Sequence, residues 1–441
     1  MPQGILERMF GIRAAGSTPG REALGGLATF LTMAYILFVN PVILQAAGMP
    51  LPGAIAATAI SAGVATLLMG LLANYPVALA PGMGLNAFFA YGICIGAGVP
   101  WQTALGIVFW TGLLFVLLTL VGARAFLVRS VPRVLTLSGA MGIGLFIAFI
   151  GLQQGGLIRA DPNTLVALAP LSSRPALLTL FGLVVTLVLY ARGIRTAIFW
   201  GLLASIVAAL GVGAVPLPHE IVRVPLFDLP GLQIDILGAL SWRYLPLILT
   251  TLFFTLFDTL GTLLAIGHQA GLADAKGELP RLDRALTADA AGMVTGALVG
   301  TSAVTSYIES GAGVAAGART GFASVVTGLL LFGSLVISPL VEVVGLGVDG
   351  SYPITAPALV LVGILMMGAV REIDWSDPTE AAPAFLTAVL MPLTFNIAHG
   401  LAAGFIVYPL AKAAAGKWRE VHPALWGLAL LLVLRYALLP L

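Results

Sequence analysis

Two acidic residues stand in apolar surroundings, where a charged side chain is costly. Asp258 lies within a long apolar run, and Glu309 follows the Thr/Ser-rich stretch 301–306. An Asp at the centre of a membrane helix costs about 2.5–3.5 kcal/mol on insertion scales, so such residues are functional by default. Burial disfavours the charged form of a carboxyl group. Asp258 and Glu309 are therefore the predicted sites of proton coupling; a purely packing role for either carboxylate stays open.

The residues next to Glu309 predict a helix that begins inside the membrane. Segment 301–306 gives way to the Gly/Ala-rich segment 310–317. A helix that starts in mid-membrane leaves about four backbone N–H groups without intrahelical partners, and these can bind a ligand. Segment 81–89, Pro-Gly-Met-Gly-Leu-Asn-Ala-Phe-Phe, is a second such break. If the halves are related by inversion, Asn86 and Glu309 lie on opposite sides of one pocket.

This set of side chains favours a neutral, planar, polar ligand with N–H donors and carbonyl or ring-nitrogen acceptors. An anion would require Arg or Lys, and these segments contain only Arg319, at a span end. Asp289 and Asn40 are predicted to be structural supports. No cofactor is predicted, and the single cysteine, Cys94, excludes a Cys-rich metal site. The predicted substrate contacts are Asp258, Glu309, Asn86, Ile308, Ala87, Phe88, Thr32 and Thr262.

The composition defines the elements that must position these residues. Of 441 residues, 59% are hydrophobic and 9% are charged, whereas soluble proteins carry about 25% charge. This excludes a soluble enzyme, and a net charge of +2 excludes a nucleic-acid-binding surface. At ~20 residues per crossing helix, the chain has room for about fourteen. Most other acidic residues, Glu22 among them, fall in tails or loops and are expected to be solvated.

The third and tenth predicted spans, 83–95 and 307–316, are too short to cross as continuous helices. Irregular backbone at membrane depth is tolerated only where protein buries it or where it lines a cavity. If successive spans alternate in direction, the Lys and Arg residues near the span ends fall on one side of the membrane, together with the N-terminus. Cytoplasmic loops carry an excess of Lys and Arg, so this side is predicted to be cytoplasmic. Whether the last apolar run, 424–439, crosses the membrane or lies at its surface stays open. The charged residues are Arg124, Arg129, Arg133, Arg192, Arg195, Lys276, Arg281, Arg284, Arg319, Arg371 and Lys412.

The two halves show weak internal similarity. The pattern of 194–203 recurs over 397–406, and Gly144 recurs as Gly363. Seven spans in each half require opposite insertion of the two copies. Such inverted repeats are typical of secondary transporters, whose sites lie near the midplane where interrupted helices meet.

At segments 29–41, 81–89, 257–262 and 300–310 the sequence resembles the nucleobase–ascorbate (xanthine/uracil permease) superfamily, in its azaguanine-type guanine/hypoxanthine/adenine branch. The resemblance implies an all-α membrane protein with fourteen segments in two inverted repeats of seven. It also implies proton-coupled purine uptake in the cell membrane, with Asp258 and Glu309 holding the base, Asn86 at the site, and a homodimer. The implied parts are a cytoplasmic tail (1–22), a core domain (23–122 and 244–345), a gate domain (123–215 and 346–441, with the C-terminal apolar helix) and an extracytoplasmic loop (216–243).

Three alternatives stay open from the residues themselves. A carrier of the same fold could move uracil, xanthine or an anion. A channel would need a continuous polar pathway, whereas the strong polar groups cluster at two broken segments. An intramembrane aspartyl protease would need two Asp residues on neighbouring helices, whereas the pair here is Asp258 with Glu309. We therefore expect a transporter and not an enzyme. The expected partners of the transporter are a purine, protons, the lipid bilayer and a second copy of the chain.

Overall fold

The computed structural model describes residues 4–122, 132–218, 220–223, 228–274 and 279–438, and these are mainly helical. Arg124, Arg129 and Lys276, used above for orientation, and the last residue of the run 424–439 lie outside them. The helices before residue 220 are α1 (Ile5–Phe10), α2 (Pro19–Met33), α3 (Ile36–Ala46), α4 (Leu51–Leu68), α5 (Met83–Ala87), α6 (Trp101–Leu120), α7 (Arg133–Gln154), α8 (Arg174–Ala191) and α9 (Ala197–Gly211).

The second half repeats this succession of long and short helices. Its helices are α10 (Leu245–Gln269), α11 (Leu282–Val299), α12 (Ser310–Ala315), α13 (Gly321–Gly333), α14 (Ser338–Gly345), α15 (Ala356–Met366), α16 (Pro378–Leu393), α17 (Ile397–Ala414) and α18 (Pro423–Leu438). In the described residues, eight helical stretches are long and apolar enough to cross a membrane, and shorter apolar helices accompany them. A multi-pass membrane protein is thereby confirmed, while the count of fourteen segments stays a prediction.

The two interrupted segments meet as a pair of short strands. Strands β1 (Leu79–Pro81) and β4 (Val304–Ser306) run antiparallel, with Ala80 opposite Thr305, and all their residues are buried. Helix α5 begins directly after β1, and α12 begins four residues after β4. Pro81 cannot continue a helix from the preceding chain, and the β-branched residues of β4 favour extended backbone. The predicted extended stretches in the third and tenth segments are confirmed. A second, exposed hairpin pairs β2 (Ile158–Asp161) with β3 (Leu165–Leu168).

Helix packing separates two groups of helices. The first group contains α2, α3, α4, α6, α10, α11, α12 and α13, and the second contains α7, α8, α9, α15, α16 and α17. Within the second group, α7 and α15 cross at the glycine pair that the sequence repeat singled out. A Cβ on Gly144 would lie 2.8 Å from the carbonyl oxygen of Gly363, and a Cβ on Gly363 would lie 2.5 Å from that of Gly144. Only glycine permits so close a crossing.

A further contact occurs once in each half of the second group. In the helix pair α8 and α9, Gly201 lies against the hydroxyl of Thr186. In the pair α16 and α17, Gly404 lies against the hydroxyl of Thr387 in the same manner. Gly201 and Gly404 are the glycines of the repeated pattern in 194–203 and 397–406. The repeat is therefore visible as the same small-residue contact in two helix pairs.

Glu22 corrects one expectation from the sequence. Its side chain is fully buried and not solvated. The carboxylate accepts hydrogen bonds from the backbone N–H groups of Arg319 (2.9 Å) and Thr320 (3.1 Å). The chain turns from α12 to α13 at these residues and needs acceptors for its free N–H groups. Helix α2 begins at Pro19, three residues before Glu22, so the predicted tail ends earlier than residue 22.

Helix α18 covers most of the last apolar run. It packs on α17, where Leu425, near its start, shares an apolar cluster with Tyr408. Near its end, the ring of Tyr436 lies 5.9 Å from that of His399, close to the start of α17. The two helices are therefore antiparallel neighbours, an arrangement that favours a crossing helix over one lying at the surface.

Candidate functional site

The interrupted segments enclose a cavity of about 210 Å³. It lies where β1 and β4 end, and α10 and α15 form its other walls. Asp258, in the middle of α10, and Glu309, directly before α12, both line it. The lining residues are Tyr35, Gly82, Met83, Gly84, Phe254, Asp258, Thr262, Thr305, Ser306, Tyr307, Ile308, Glu309, Val362, Leu365 and Met366.

Two tyrosines hold the Glu309 side of this cavity. The hydroxyl of Tyr35 donates a hydrogen bond of 2.6 Å to Oε1 of Glu309. Tyr35 stands at the break between α2 and α3, so the first span contributes directly to the site. The hydroxyl of Tyr307 donates to the carbonyl oxygen of Pro81 (2.5 Å) and ties the two interrupted segments together. Hydrogen bonds to an ionised group are stronger than neutral ones, so Tyr35 fixes the position of the carboxylate.

Asp258 is held from the strand side. The hydroxyl of Thr305, in β4, lies 3.3 Å from Oδ2 of Asp258 and donates to it. The same hydroxyl lies 3.0 Å from the hydroxyl of Thr259. The Thr305 hydroxyl of strand β4 therefore bonds to Asp258 and also contacts Thr259, the next residue in α10.

Asp289 lies behind this layer, fully buried in α11. Its Oδ1 accepts a hydrogen bond from the hydroxyl of Thr259 (2.8 Å), and its Oδ2 accepts one from the hydroxyl of Ser306 (2.7 Å). The Asp289 carboxylate therefore joins α10 to β4. Its two partners, Thr259 and Ser306, directly follow Asp258 and Thr305 in the chain. This is the placement of a support.

The two asparagines form a separate buried cluster. Nδ2 of Asn40 donates to the hydroxyls of Thr58 (2.8 Å) and Thr301 (3.0 Å). Nδ2 of Asn86 donates to Oδ1 of Asn40 (3.0 Å). Both asparagine side chains are fully buried. The cluster joins α3, α4 and α5 to the chain before β4, and a support role for Asn40 stays a prediction.

The structure brings four of the eight predicted contacts to the cavity: Asp258, Thr262, Ile308 and Glu309. The other four are not among the described residues that line it. Asn86, predicted to face Glu309 across the pocket, turns toward Asn40, and Gly82 and Gly84 line the wall in its place. The Thr32 hydroxyl donates to the carbonyl oxygen of Ala28 in its own helix (2.7 Å). Ala87 and Phe88 are buried where α5 passes into a π-helical extension. Substrate contact by these four stays a prediction.

A second cavity, of about 280 Å³, adjoins the first. It extends between α10 of the first helix group and α7 and α17 of the second, and α18 covers part of it. Its lining is mainly apolar. Five residues line both cavities, so the inner end of the second opens at the carboxylate site: Phe254, Asp258, Thr262, Ile308 and Met366.

The sequence interpretation did not include Tyr35, Thr305 or Ser306 among the site residues. Each lies inside a segment on which the resemblance rested. A signal was present, because a hydroxyl side chain within an interrupted apolar span needs a hydrogen-bond partner. The partner itself lies far along the chain, 274 residues away for Tyr35.

Interrupted helices that meet at buried carboxylates, between two helix groups, define a secondary transporter fold. The solved transmembrane domain of the cyanobacterial bicarbonate transporter BicA shares it, with a TM-score of 0.64 at 14% identity, covering 87% of this chain and 97% of that one. The structure of SLC26A9 gives a TM-score of 0.65 at 10% identity, covering 93% of this chain and 69% of that one. At these identities the likeness concerns the fold alone.

The sequence comparisons give the family. Residues 20–403 match the family model described as the Permease family, that of the xanthine/uracil permeases, and the chain belongs to this family. The guanine/hypoxanthine permease PbuG of Bacillus subtilis is 44% identical over 98% of this chain and all of its own length. The adenine permease AdeP of Escherichia coli is 40% identical over 98% of this chain and 96% of its own. The resemblance inferred from the motifs is confirmed.

Proposed function

We propose that the protein is a secondary transporter that takes up purine nucleobases. One observation carries the proposal: Asp258 and Glu309 line the same cavity, and none of the described residues lining it is Lys or Arg. Ionised carboxylates accept hydrogen bonds from N–H groups, which purine rings present along their edges. The same carboxylates repel an anion. The relatives PbuG, a guanine/hypoxanthine permease, and AdeP, an adenine permease, support a purine substrate.

In this proposal the base lies flat between apolar walls with its polar edge toward the carboxylates. The ring of Phe254 and the apolar side chains of Ile308 and Met366 line the cavity beside Asp258. Flat apolar side chains favour a planar aromatic ligand. The Tyr35 hydroxyl keeps the Glu309 carboxylate fixed, so less conformational entropy is lost when the base binds.

Proton coupling follows from the cost of a buried charge. An unpaired carboxylate carried through an apolar barrier is unfavourable, so the empty, charged site moves with difficulty. Protonation of Asp258 or Glu309 together with base binding removes one negative charge, and the base donates hydrogen bonds to the carboxylate that stays ionised, so the loaded site moves more readily. The first helix group carries the site and acts as the core domain, and the second group acts as the gate, with the boundaries predicted from the sequence. The protein resides in the cell membrane with a cytoplasmic N-terminus and pairs with a second copy through the gate domain.

Uptake into proteoliposomes tests this function. Radiolabelled hypoxanthine is offered under an inward proton gradient, with unlabelled adenine, guanine, xanthine, uracil or bicarbonate as competitor. We expect accumulation that adenine or guanine blocks and that a protonophore abolishes. Accumulation blocked by uracil, xanthine or bicarbonate but not by adenine or guanine would replace the substrate class. Uptake that survives collapse of the gradient would refute proton symport.

A further inference from the structure

The segment directly before α10 exposes an unusual number of large apolar side chains. Within 230–242, the exposed fractions are 83% for Leu232, 83% for Leu237, 60% for Leu240 and 87% for Trp242. Leaving apolar surface in water costs about 25 cal/mol per Å². The sequence prediction places this segment in an aqueous loop, where such exposure would be unfavourable.

The segment starts beside the ends of two helices, of which α4 is long and apolar enough to cross a membrane. A Cβ on Gly231 would lie 1.8 Å from the carbonyl oxygen of Leu298, at the end of α11, and a Cβ on Gly53, at the start of α4, would lie 2.5 Å from that of Asp228. Leu298 itself is 47% exposed on the outer surface of the helix group. The apolar surface of the segment therefore continues that of α11, which packs on the spanning helices α4 and α6.

From this point the chain descends along α6. The backbone N–H of Asp235 donates to the carbonyl oxygen of Gln102 (3.1 Å), and Nε1 of Trp110 donates to that of Ile236 (2.8 Å). Gly106 makes room for the descent, because a Cβ there would lie 2.2 Å from the Asp235 carbonyl oxygen. From the start of α6 to Gly106, beside which Asp235 lies, is about 7.5 Å at 1.5 Å per residue. That depth is within one leaflet of a hydrocarbon core that is about 30 Å thick.

The polar groups of the descending chain have partners. The Asp235 carboxylate accepts from the hydroxyl of Thr103 (2.9 Å) and from the backbone N–H of Gly238 (2.8 Å). The Asp235 carbonyl oxygen accepts from the N–H of Ala239 (3.3 Å), and that of Leu237 accepts from the N–H of Leu240 (3.1 Å). Non-helical backbone at membrane depth needs hydrogen-bond partners from the protein for its N–H and C=O groups, whereas a loop in water can bond to water.

We propose that segment 230–242 is embedded in the bilayer leaflet at which α6 begins. Leu232, Leu237 and Leu240 contact acyl chains, and Trp242 lies at the boundary with the lipid headgroups, followed by Arg243. Trp and Arg are enriched at that boundary. The occupant of the surface is lipid because the surface continues the outer face of spanning helices. The predicted extracytoplasmic loop 216–243 is thus embedded in the membrane from about residue 230 onward, and α10 begins from a membrane-anchored segment.

Spin labels at single cysteines test the proposal. In a Cys94→Ala background, a nitroxide is attached at Leu237→Cys, with Leu240→Cys as a second position if the first variant does not fold. Leu329→Cys, 59% exposed on the spanning helix α13 of the first group, is the lipid control, and Asn163→Cys, exposed between β2 and β3, is the water control. Each variant is reconstituted into liposomes. The collision rates with oxygen and with a water-soluble nickel complex are then measured.

We expect the ratio of oxygen to nickel collisions at Leu237→Cys to equal that of the Leu329 label and to exceed that of the Asn163 label several-fold. A ratio equal to that of the Asn163 label would overturn the proposal in favour of an aqueous loop. Low collision rates with both reagents would overturn it in favour of a protein partner, and dipolar broadening would identify that partner as a second copy. The result does not depend on the transported substrate.

Discussion

The two halves of the molecule put polar side chains in and beside their interrupted segments and use them differently. In the first half, Asn40 and Asn86 bond to each other and are sealed from both cavities described above. In the second half, Asp258 and Glu309 face one cavity. The backbone frame is repeated, but the chemistry is not.

The difference follows from which hydrogen bonds the amide and carboxylate side chains can make without a ligand. An amide carries both donors and acceptors, so Asn86 can donate to Asn40 in a dry interior, which leaves only Oδ1 of Asn86 without a partner among the described residues. Two ionised carboxylates only accept, and they repel each other, so they need protons, hydroxyl donors or a ligand. Tyr35 and Thr305 supply one donor each. The second half therefore keeps capacity for a substrate, whereas the first half supplies rigidity.

Removal of an acid from the second half has the largest expected effect. Asp258→Asn and Glu309→Gln each preserve size but remove the ionisable acceptor. Hydrogen bonds to charged groups contribute about 1.5–3 kcal/mol, so we expect hypoxanthine exchange in proteoliposomes to fall to background. Asp349→Asn, in an exposed turn whose positive φ asparagine tolerates, is the control and should exchange normally. Normal kinetics in both site variants would contradict the assignment.

Removal of an amide from the first half should affect stability instead. Asn86→Ala leaves Oδ1 of Asn40 without its amide donor in a buried site, at a cost of about 1–3 kcal/mol. We expect a lower melting temperature in detergent and a KM within about twofold of the wild type. A tenfold higher KM with unchanged melting would instead make Asn86 a substrate contact, as the sequence predicts.

Tyr35 links the first half to the acid pair, and its hydroxyl should matter for affinity. Tyr35→Phe removes the donor to Glu309 and leaves the ring in place. We expect KM for hypoxanthine to rise by about tenfold, the equivalent of ~1.4 kcal/mol. Tyr190→Phe, exposed on α8, is the matched control. Equal KM values for the two variants would show that Tyr35 does not position the carboxylate.

The smallest effect separates two threonines that the sequence ranks alike. Thr262 lines both cavities, whereas the Thr32 hydroxyl is bonded within its own helix. Loss of one neutral hydrogen bond costs about 0.5–1.5 kcal/mol. Thr262→Ala should therefore raise KM by about three- to tenfold, and Thr32→Ala by less than about twofold. The reverse order, measured in the same uptake assay, would place the substrate on the other side of α2.

The interrupted segments and the acid pair were predictable because their signals are local. Pro81 with its neighbouring glycines breaks a helix wherever it stands, and an Asp inside an apolar run is costly in any membrane fold. The family resemblance added the overall arrangement of two repeats.

What the sequence could not predict depends on contacts between distant segments. The rotation of the five-residue helix α5 decides whether Asn86 faces the cavity or Asn40, and tertiary packing sets that rotation. Glu22 stands beside a charged tail in the sequence, yet its partner Arg319 lies 297 residues away. Neither the periodicity nor the composition near these residues carries that information.

Equilibrium binding measures most directly whether Asp258 and Glu309, the acid pair of the second half, hold the purine. Hypoxanthine is titrated calorimetrically into the purified wild type, Asp258→Asn and Asn86→Ala. We expect hypoxanthine to bind to the wild type and to Asn86→Ala, and we expect no measurable binding to Asp258→Asn. Unchanged binding to Asp258→Asn, or its loss from a folded Asn86→Ala, would contradict this role of the acid pair.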